Sequence, residues 1–337
     1  MRRPDRRSVR TGKRGISRES GRGDAFVESI LGDQGGGKGK DMNVEELRRQ
    51  QIEIVKKKKR KARRKRLLLL PVLFLVLAAV FLAYQISLNR HFETTYYHLE
   101  SEKVDTSLKV IVLSDLHSME YGEGNRELIE AIREEDPDLI AMIGDMVNQD
   151  DEEFTVTRHL CRELKEIAPV YYTLGNHEGT LMYGKMDSVA LDEMLKEDGV
   201  IVLINQSVEF EKEGATVHLA GIATDTDGYK KWAKGKMEGF WEEDGYKIVL
   251  SHFPSLYYSQ LKDADFDLAF AGHYHGGLIR IPGKGGFYHP EGGFFPQYAG
   301  GKYDLENGTL IVSRGIGGHG KIPRINNRPE LVVVEIE

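Results

Sequence analysis

Two histidines stand one residue apart in AGHYHGG (271–277), where the apolar run DLAFA ends. Four earlier places in the chain look the same. Ser114-Asp115-Leu116-His117 follows LKVIVL, and Gly144-Asp145-Met146-Val147-Asn148 follows LIAMI. Gly175-Asn176-His177-Glu178 follows VYYTL, and His252-Phe253-Pro254 follows KIVLS. Short apolar runs of this kind are expected for strands buried on both faces. In open α/β sheets, ligands bind in the crevice beyond the carboxyl ends of the strands. Singly, each motif has an ordinary use: an Asp caps a helix, Gly-Asp makes a turn, an Asn accepts a left-handed backbone. Five in order, each behind a strand, point to one shared site.

The residue types select the chemistry. Asp115 and Asp145 offer carboxylates, Asn176 an amide oxygen, and His117, His252, His273 and His275 imidazoles. A mixed oxygen and nitrogen set suits borderline divalent metals such as manganese, iron or zinc better than calcium or magnesium alone. Seven donors are too many for one tetrahedral ion. Two ions about 3.5–4 Å apart, sharing a carboxylate and a hydroxide, would use them. Such a pair suits in-line hydrolysis of a phosphoester: it generates hydroxide near neutral pH and offsets charge on the phosphoryl oxygens. Glycines beside the ligands let the backbone turn and leave room for a phosphate.

Alternating elements must carry these ends. Strands are expected at 108–114, 139–144, 170–175, 200–205, 208–211, 216–223, 247–252, 267–273, 309–317 and 329–337. Helices are expected at 125–135, 152–167, 187–199 and near 255–263. Strand–helix alternation followed mostly by strands implies an α/β domain with layered sheets. One cysteine, Cys161, permits no intrachain disulfide and excludes a cysteine-rich zinc module. No internal repeat is visible.

Charge divides the 337-residue chain. Residues 1–66 hold 23 Lys/Arg against 9 Asp/Glu, a net of +14, and the rest hold 24 against 44, a net of −20. The basic part, residues 1–66, is expected to be a disordered cytoplasmic tail. LLLLPVLFLVLAAVFLAY (67–84) follows, without a charge or a polar stripe. With Gln85 and Ile86 it nears the ~20 residues that cross a bilayer, so 67–86 is read as a transmembrane helix, with Pro71 in its first turn. The basic flank is long and no A-x-A site follows, which favours an uncleaved anchor over a signal peptide. Arg63-Arg64 precedes the apolar run, but Lys65-Arg66 follow the pair where a twin-arginine signal would place an apolar residue. The cationic block KKKKRKARRKR places the N-terminus in the cytoplasm and the remainder outside, and would attract anionic lipid headgroups. It has no interleaved aromatics, which argues against nucleic-acid binding. Residues 87–104 are read as a juxtamembrane linker.

The five blocks together resemble the calcineurin-like metallophosphoesterase family, over residues 105–337. The resemblance implies a β-sandwich of two mixed sheets flanked by helices and a centre holding two divalent ions. Asp115, His117 and His275 would hold the first ion, Asp145 would bridge, and Asn176, His252 and His273 would hold the second. His177 would stand outside the metal ligands and assist the leaving group. GHYHGGLIRIPGKGGFYHP, GGFFPQYAGGKYDLENGTLIVSRGIG and IPRINNRPELVVVEI are similar to the bacterial membrane-associated branch, often described by likeness to UDP-2,3-diacylglucosamine pyrophosphohydrolases and phosphodiesterases. The implied activity is a membrane-tethered phosphodiesterase or pyrophosphohydrolase acting on a phosphoester that is lipid-linked or part of the cell envelope. The alternatives are a protein or nucleotide phosphatase on the same scaffold and a non-catalytic metal-binding scaffold. Two departures stand out: Asn148 where many relatives have Asp, and Tyr274 where a smaller Thr is common, narrowing the pocket. Phe294, Phe295 and Tyr298 are expected to pack inward in a structural loop, with an apolar lip as the alternative. Arg314 is expected in an ion pair rather than on a phosphate. His289 and His319 have no assigned role.

Overall fold

The computed structural model describes residues 43–151, 154–184, 188–318 and 323–337. Two compact units divide the chain, Met1–Leu73 and Phe74–Glu337. Helix α1 (Val44–Leu88) is 45 residues long, about 68 Å at 1.5 Å per residue. It corrects the expected disorder over 44–66. Lys, Arg, Glu and Gln dominate that stretch and lose little freedom in a helix, and Glu45 and Glu46 occupy the first turn, where the helix dipole favours acids. Pro71 therefore lies inside the helix, not in its first turn. The apolar part of α1 is long and apolar enough to cross a membrane, and none of that window is buried. Residues 1–42, the rest of the expected tail, and His319 lie outside the described residues.

The second unit is built from strands and helices in this order: β1 (Glu93–Leu99), β2 (Leu108–Leu113), α2 (Arg126–Glu135), β3 (Leu139–Ile143), α3 (Thr155–Leu164), β4 (Val170–Thr173), α4 (Asn176–Gly184), α5 (Ser188–Glu197), β5 (Ile201–Val202), β6 (Gln206–Lys212), β7 (Ala215–Ile222), α6 (Lys234–Trp241), β8 (Tyr246–Ser251), α7 (Ser255–Ser259) and β9 (Leu268–Ala271). The short strands β10 (Arg280–Ile281), β11 (Gly285–Gly286), β12 (Tyr288–His289) and β13 (Gly293–Phe294) then form two hairpins, before β14 (Gly301–Leu305), β15 (Gly308–Val312) and β16 (Glu330–Ile336). Two six-stranded sheets result, ordered β1-β16-β2-β3-β4-β5 and β14-β15-β9-β8-β7-β6. Each mixes parallel and antiparallel pairs.

Alternation along the strands makes the layers. Val110 and Val112 face inward with Leu139, Ala141 and Ile143, against Leu219, Ile248, Leu250, Leu268 and Phe270 of the other sheet. Ile111, Leu113, Ile140 and Met142 point the opposite way, onto Leu128 and Ile132 of α2 and Leu160 and Leu164 of α3. Ala220, Ile222, Val249 and Ala269 meet Met237, Phe240 and Leu256 on the far side. The result is helices, sheet, sheet, helices, the two-sheet sandwich the resemblance implied.

Several boundaries differ from expectation. The linker 87–104 contains β1, which pairs in parallel with β16 through residues such as Thr95 and Val332; the alternation in ETTYYHL was its signal. The strand at 200–205 shrinks to two residues. Helices 152–167 and 187–199 are described as α3 and α5, their expected first residues 152, 153 and 187 falling outside the described set. Helical turns Thr226–Gly228 and Tyr229–Ala233 before α6 and the strand β14 had not been anticipated.

Candidate metal centre

The loops leaving both sheets run side by side at one end. Asp115 N–H donates to Gly144 O (3.0 Å), His117 N–H to Asp145 O (3.0 Å), Gly272 N–H to His252 O (3.1 Å) and Ser313 N–H to Ala271 O (2.8 Å). Pairing thus continues past the strand ends and brings the ligand-bearing residues together. The backbone there is costly. Asp115 (φ 56°), His117 (φ 50°), Asp145 (φ 53°), His273 (φ 68°) and His275 (φ 46°) all adopt left-handed conformations, which L-residues seldom occupy. A side chain at Gly272 would overlap Ser114 Oγ and Asp115 Oδ2, and one at Gly175 would overlap Asp145 Oδ1.

Donor atoms gather in three overlapping groups, Asp115–His117–His275, His117–Asp145–His177 and Asp145–His252–His273, with the ligand atoms of each within 4.8 Å of one another. His275 Nε2 lies 3.3 Å from Asp115 Oδ1 and 3.1 Å from His117 Nε2. His252 Nε2 lies 3.2 Å from Asp145 Oδ2 and 3.9 Å from Asp115 Oδ1. Asn176 opens α4 beside His177, whose N–H donates to Asp145 Oδ1 (2.8 Å). Asn176 Oδ1 and His252 Nε2 are buried without hydrogen-bond partners. An unmatched buried polar atom costs about 1–3 kcal/mol, and a divalent cation would satisfy both. The donor set, its crowding and these two orphans fit metal ions.

His252 and His177 present opposite faces to the same carboxylate. His252 Nδ1 meets Ile143 O at 2.8 Å, so Nδ1 keeps its hydrogen there and Nε2 is the nitrogen that faces the cluster and offers a lone pair once the ring is neutral. His177 Nδ1 accepts the Gln149 N–H at 2.9 Å, so the neutral ring carries its proton on Nε2, 3.8 Å from Asp145 Oδ2. Burial disfavours a charged His252, yet the Asp145 and Asp115 carboxylates raise it to about 10. Burial likewise opposes ionisation of Asp145, but His252, His177 and His117 bring its carboxyl well below the usual range. The cluster wants positive charge.

Other residues brace the ligands. Glu178 is fully buried and accepts N–H bonds from Asp145, Met146 and Gly175 (2.9 Å each) and the Tyr172 O–H (2.6 Å). Burial and the Asp145 charge raise its carboxyl. Asn148 Nδ2 donates to His117 O (2.9 Å), a bond that an Asp could not donate. Asn327 Nδ2 donates to His275 O (2.7 Å), and the buried Arg324 guanidinium lies 3.2 Å from His275 Nδ1. Glu291 Oε2 is 2.7 Å from His273 Nε2, leaving Nδ1 of that ring for the cluster. His289 is buried 4.8 Å, ring to ring, from His273. The buried Tyr274 packs at a tilt against His289, its hydroxyl 3.3 Å from that of Tyr258. Arg314 is committed to Glu330 (2.7 Å) and Glu93 (2.8 Å), as expected. Glu178, quoted in its motif, signalled itself as an acid at a helix start. Arg324, Asn327 and Glu291 lie in irregular segments where no periodicity marks them.

Comparison with known proteins places this geometry. The family model for calcineurin-like phosphoesterase matches residues 108–277. Over 249 residues the chain is 27% identical to the uncharacterized metallophosphoesterase YkoQ of Bacillus subtilis, covering 68% of this chain and 83% of that one. It is 26% identical to the uncharacterized protein YpbG of the same organism, over 75% of this chain and 90% of the relative. It is 28% identical to the phosphodiesterase YaeI of Escherichia coli, over 68% and 82%. The family match spans half of the chain and ends just past the second histidine of GHYH, and on that ground the protein belongs to the calcineurin-like phosphoesterase family and is a phosphoester hydrolase.

Proposed function

We propose that this protein is a membrane-tethered phosphodiesterase or pyrophosphohydrolase with two divalent ions. The observation that carries the reading is the pair of donor groups joined through Asp145, with Asn176 Oδ1 and His252 Nε2 buried and unmatched beside them. Asp115, His117 and His275 would hold one ion and Asn176, His252 and His273 the other, with Asp145 shared; manganese, iron and zinc suit these donors. Ions held there would lower the pKa of a water towards neutrality and offset charge developing on the phosphoryl oxygens. Asp145 fixes the spacing of the two donor groups. His177 holds a proton on Nε2, facing the cluster, and delivers it to the departing oxygen. The absent side chain of Gly272 leaves room for Ser114 Oγ and the Asp115 carboxylate to pack against its backbone. A diester preference agrees with the name of the relative YaeI.

Residues 67–86 anchor the chain in the cell membrane as a single span, with the basic end cytoplasmic and the hydrolase outside. The length and apolarity of α1 support this. The tether points to a lipid-linked or envelope phosphate as substrate. Turnover of bis-p-nitrophenyl phosphate by the full chain, stripped with a chelator and reloaded with manganese or zinc, tests the catalytic reading. A non-catalytic metal-binding scaffold would show no turnover in any metal.

A further inference from the structure

Side-chain hydrogen bonds join the foot of α1 and the residue just after it to the hydrolase. Gln85 is buried, and its Oε1 accepts the Asn326 N–H at 2.8 Å; Asn89 Nδ2 donates to Arg324 O at 3.0 Å. These bonds flank Ile325. From Ile325 a narrow ladder of backbone contacts leads outward. Ile325 bridges Ile279, Phe287 N–H donates to Ile279 O (2.7 Å), and Phe295 N–H donates to Phe287 O (2.9 Å). At about 4.8 Å per step, Phe295 lies roughly 15 Å from the segment that receives the helix foot.

Aromatic rings collect at the end of this ladder. Phe287 packs on Phe294 (5.4 Å) and Phe295 (5.8 Å), and Tyr288 on Phe294 (5.1 Å). Phe294 is 67% exposed, Phe295 47% and Tyr288 40%. This corrects the expectation that Phe294 and Phe295 pack inward; of that trio Tyr298 does pack, against Tyr303. Phe295 has φ 53°, a conformation a bulky residue rarely takes. The other side of the same hairpin reaches the metal centre, through His289 against His273 and Glu291 on His273 Nε2. The exposed Lys284 adds positive charge just before the hairpin in sequence.

We propose that the β12–β13 hairpin with Phe295 is a lip seated in the lipid surface, and that it presents the phosphate of a bilayer lipid to the metal centre. The inference rests on α1 being a membrane anchor. Aromatic side chains favour the membrane–water interface, the exposed Lys284 just before the hairpin favours anionic headgroups, and the short ladder keeps the lip close to where α1 meets the hydrolase. The occupant is a lipid surface rather than a second copy of the chain or a peptide, because an anchored α1 brings bilayer to this edge of the fold.

The test uses the full chain in vesicles of phosphatidylethanolamine and phosphatidylglycerol, with Trp232 and Trp241 replaced by Phe. Single reporters are introduced as Phe294→Trp and, on the remote β5, Ile201→Trp. With acyl-brominated lipid, the Phe294→Trp reporter should be quenched at least twofold more than the Ile201→Trp reporter. Equal quenching while the chain resists carbonate extraction would overturn the lip and leave the anchor standing. Release by carbonate would overturn both. Separately, the triple replacement Tyr288→Ser, Phe294→Ser, Phe295→Ser should lower hydrolysis of a p-nitrophenyl phosphodiester carried on vesicle diacylglycerol about tenfold, with soluble bis-p-nitrophenyl phosphate unaffected. Equal effects on the two substrates would refute the proposal.

Discussion

His177 Nδ1 accepts the backbone N–H of Gln149 at 2.9 Å. That bond settles which nitrogen of the neutral ring carries hydrogen and turns the proton toward Asp145. His177→Ala should therefore slow turnover by about 10²–10⁴-fold, the usual worth of a positioned acid, while metal content stays unchanged. Asp145→Ala should lose metal and activity together. Metal analysis by atomic emission alongside kcat separates the two, and a His177→Ala protein depleted of metal would make His177 a ligand instead.

Metal binding should release protons. Without a cation the Asp145 and Asp115 carboxylates hold His252 protonated up to about 10 against the effect of its burial. An incoming ion must displace that proton, so affinity should rise with pH toward 10 and fall as pH drops. One proton released corresponds to about tenfold in affinity per pH unit. Calorimetric titration of chelated protein in buffers of different ionisation enthalpy counts the protons directly.

Glu291 orients His273 from outside the cluster. Carboxylates in this position typically contribute 10–100-fold in metal affinity. Glu291→Gln should weaken the site containing His273 by about that factor and spare the one containing His275. Competitive titration with a chromophoric chelator should resolve two affinities, of which one moves; a uniform loss would mean that the hairpin as a whole has collapsed.

Gly272→Ala should be far more damaging than its size suggests. The added carbon would collide with Ser114 Oγ and Asp115 Oδ2, pushing the Asp115 carboxylate aside in a well-packed place. Loss of metal at near-normal secondary structure, by circular dichroism, is the expected pattern.

Cys161 should be inert in the folded protein. It is wholly buried on α3, and burial pushes its thiol up to about 12. Because the thiolate is the reactive form, iodoacetamide at pH 8 should label it only after denaturant is added. Labelling of native protein would mean that α3 opens readily.

The clustering of donors was more legible in the sequence than their supports. Asp115, His117, Asp145, His252, His273 and His275 each sit directly behind an apolar strand, and the structure brings their donor atoms together. Asn176 follows a strand in the same way, and its side-chain oxygen is buried and unmatched. Arg324, Asn327 and Glu291 were not, because their contacts span long sequence separations from irregular segments. The helix over 44–66 was missed because a dense cationic run reads as disorder by charge, while the same residues are strong helix formers. β1 was missed because a half-exposed edge strand of seven residues resembles a linker. Phe294 and Phe295 ran against the ordinary preference of aromatics for the interior.

The pairing of β1 with β16 bears on how the protein is made. The final strand lies between the first two, parallel to β1 and antiparallel to β2. During synthesis β1 and β2 emerge early and wait for residues 330–336 before their sheet can close. Until then β1 and β2 both present bare edges, the kind that invite pairing between chains. Removing residues 330–337 should thus leave a translated but unclosed hydrolase, prone to self-association.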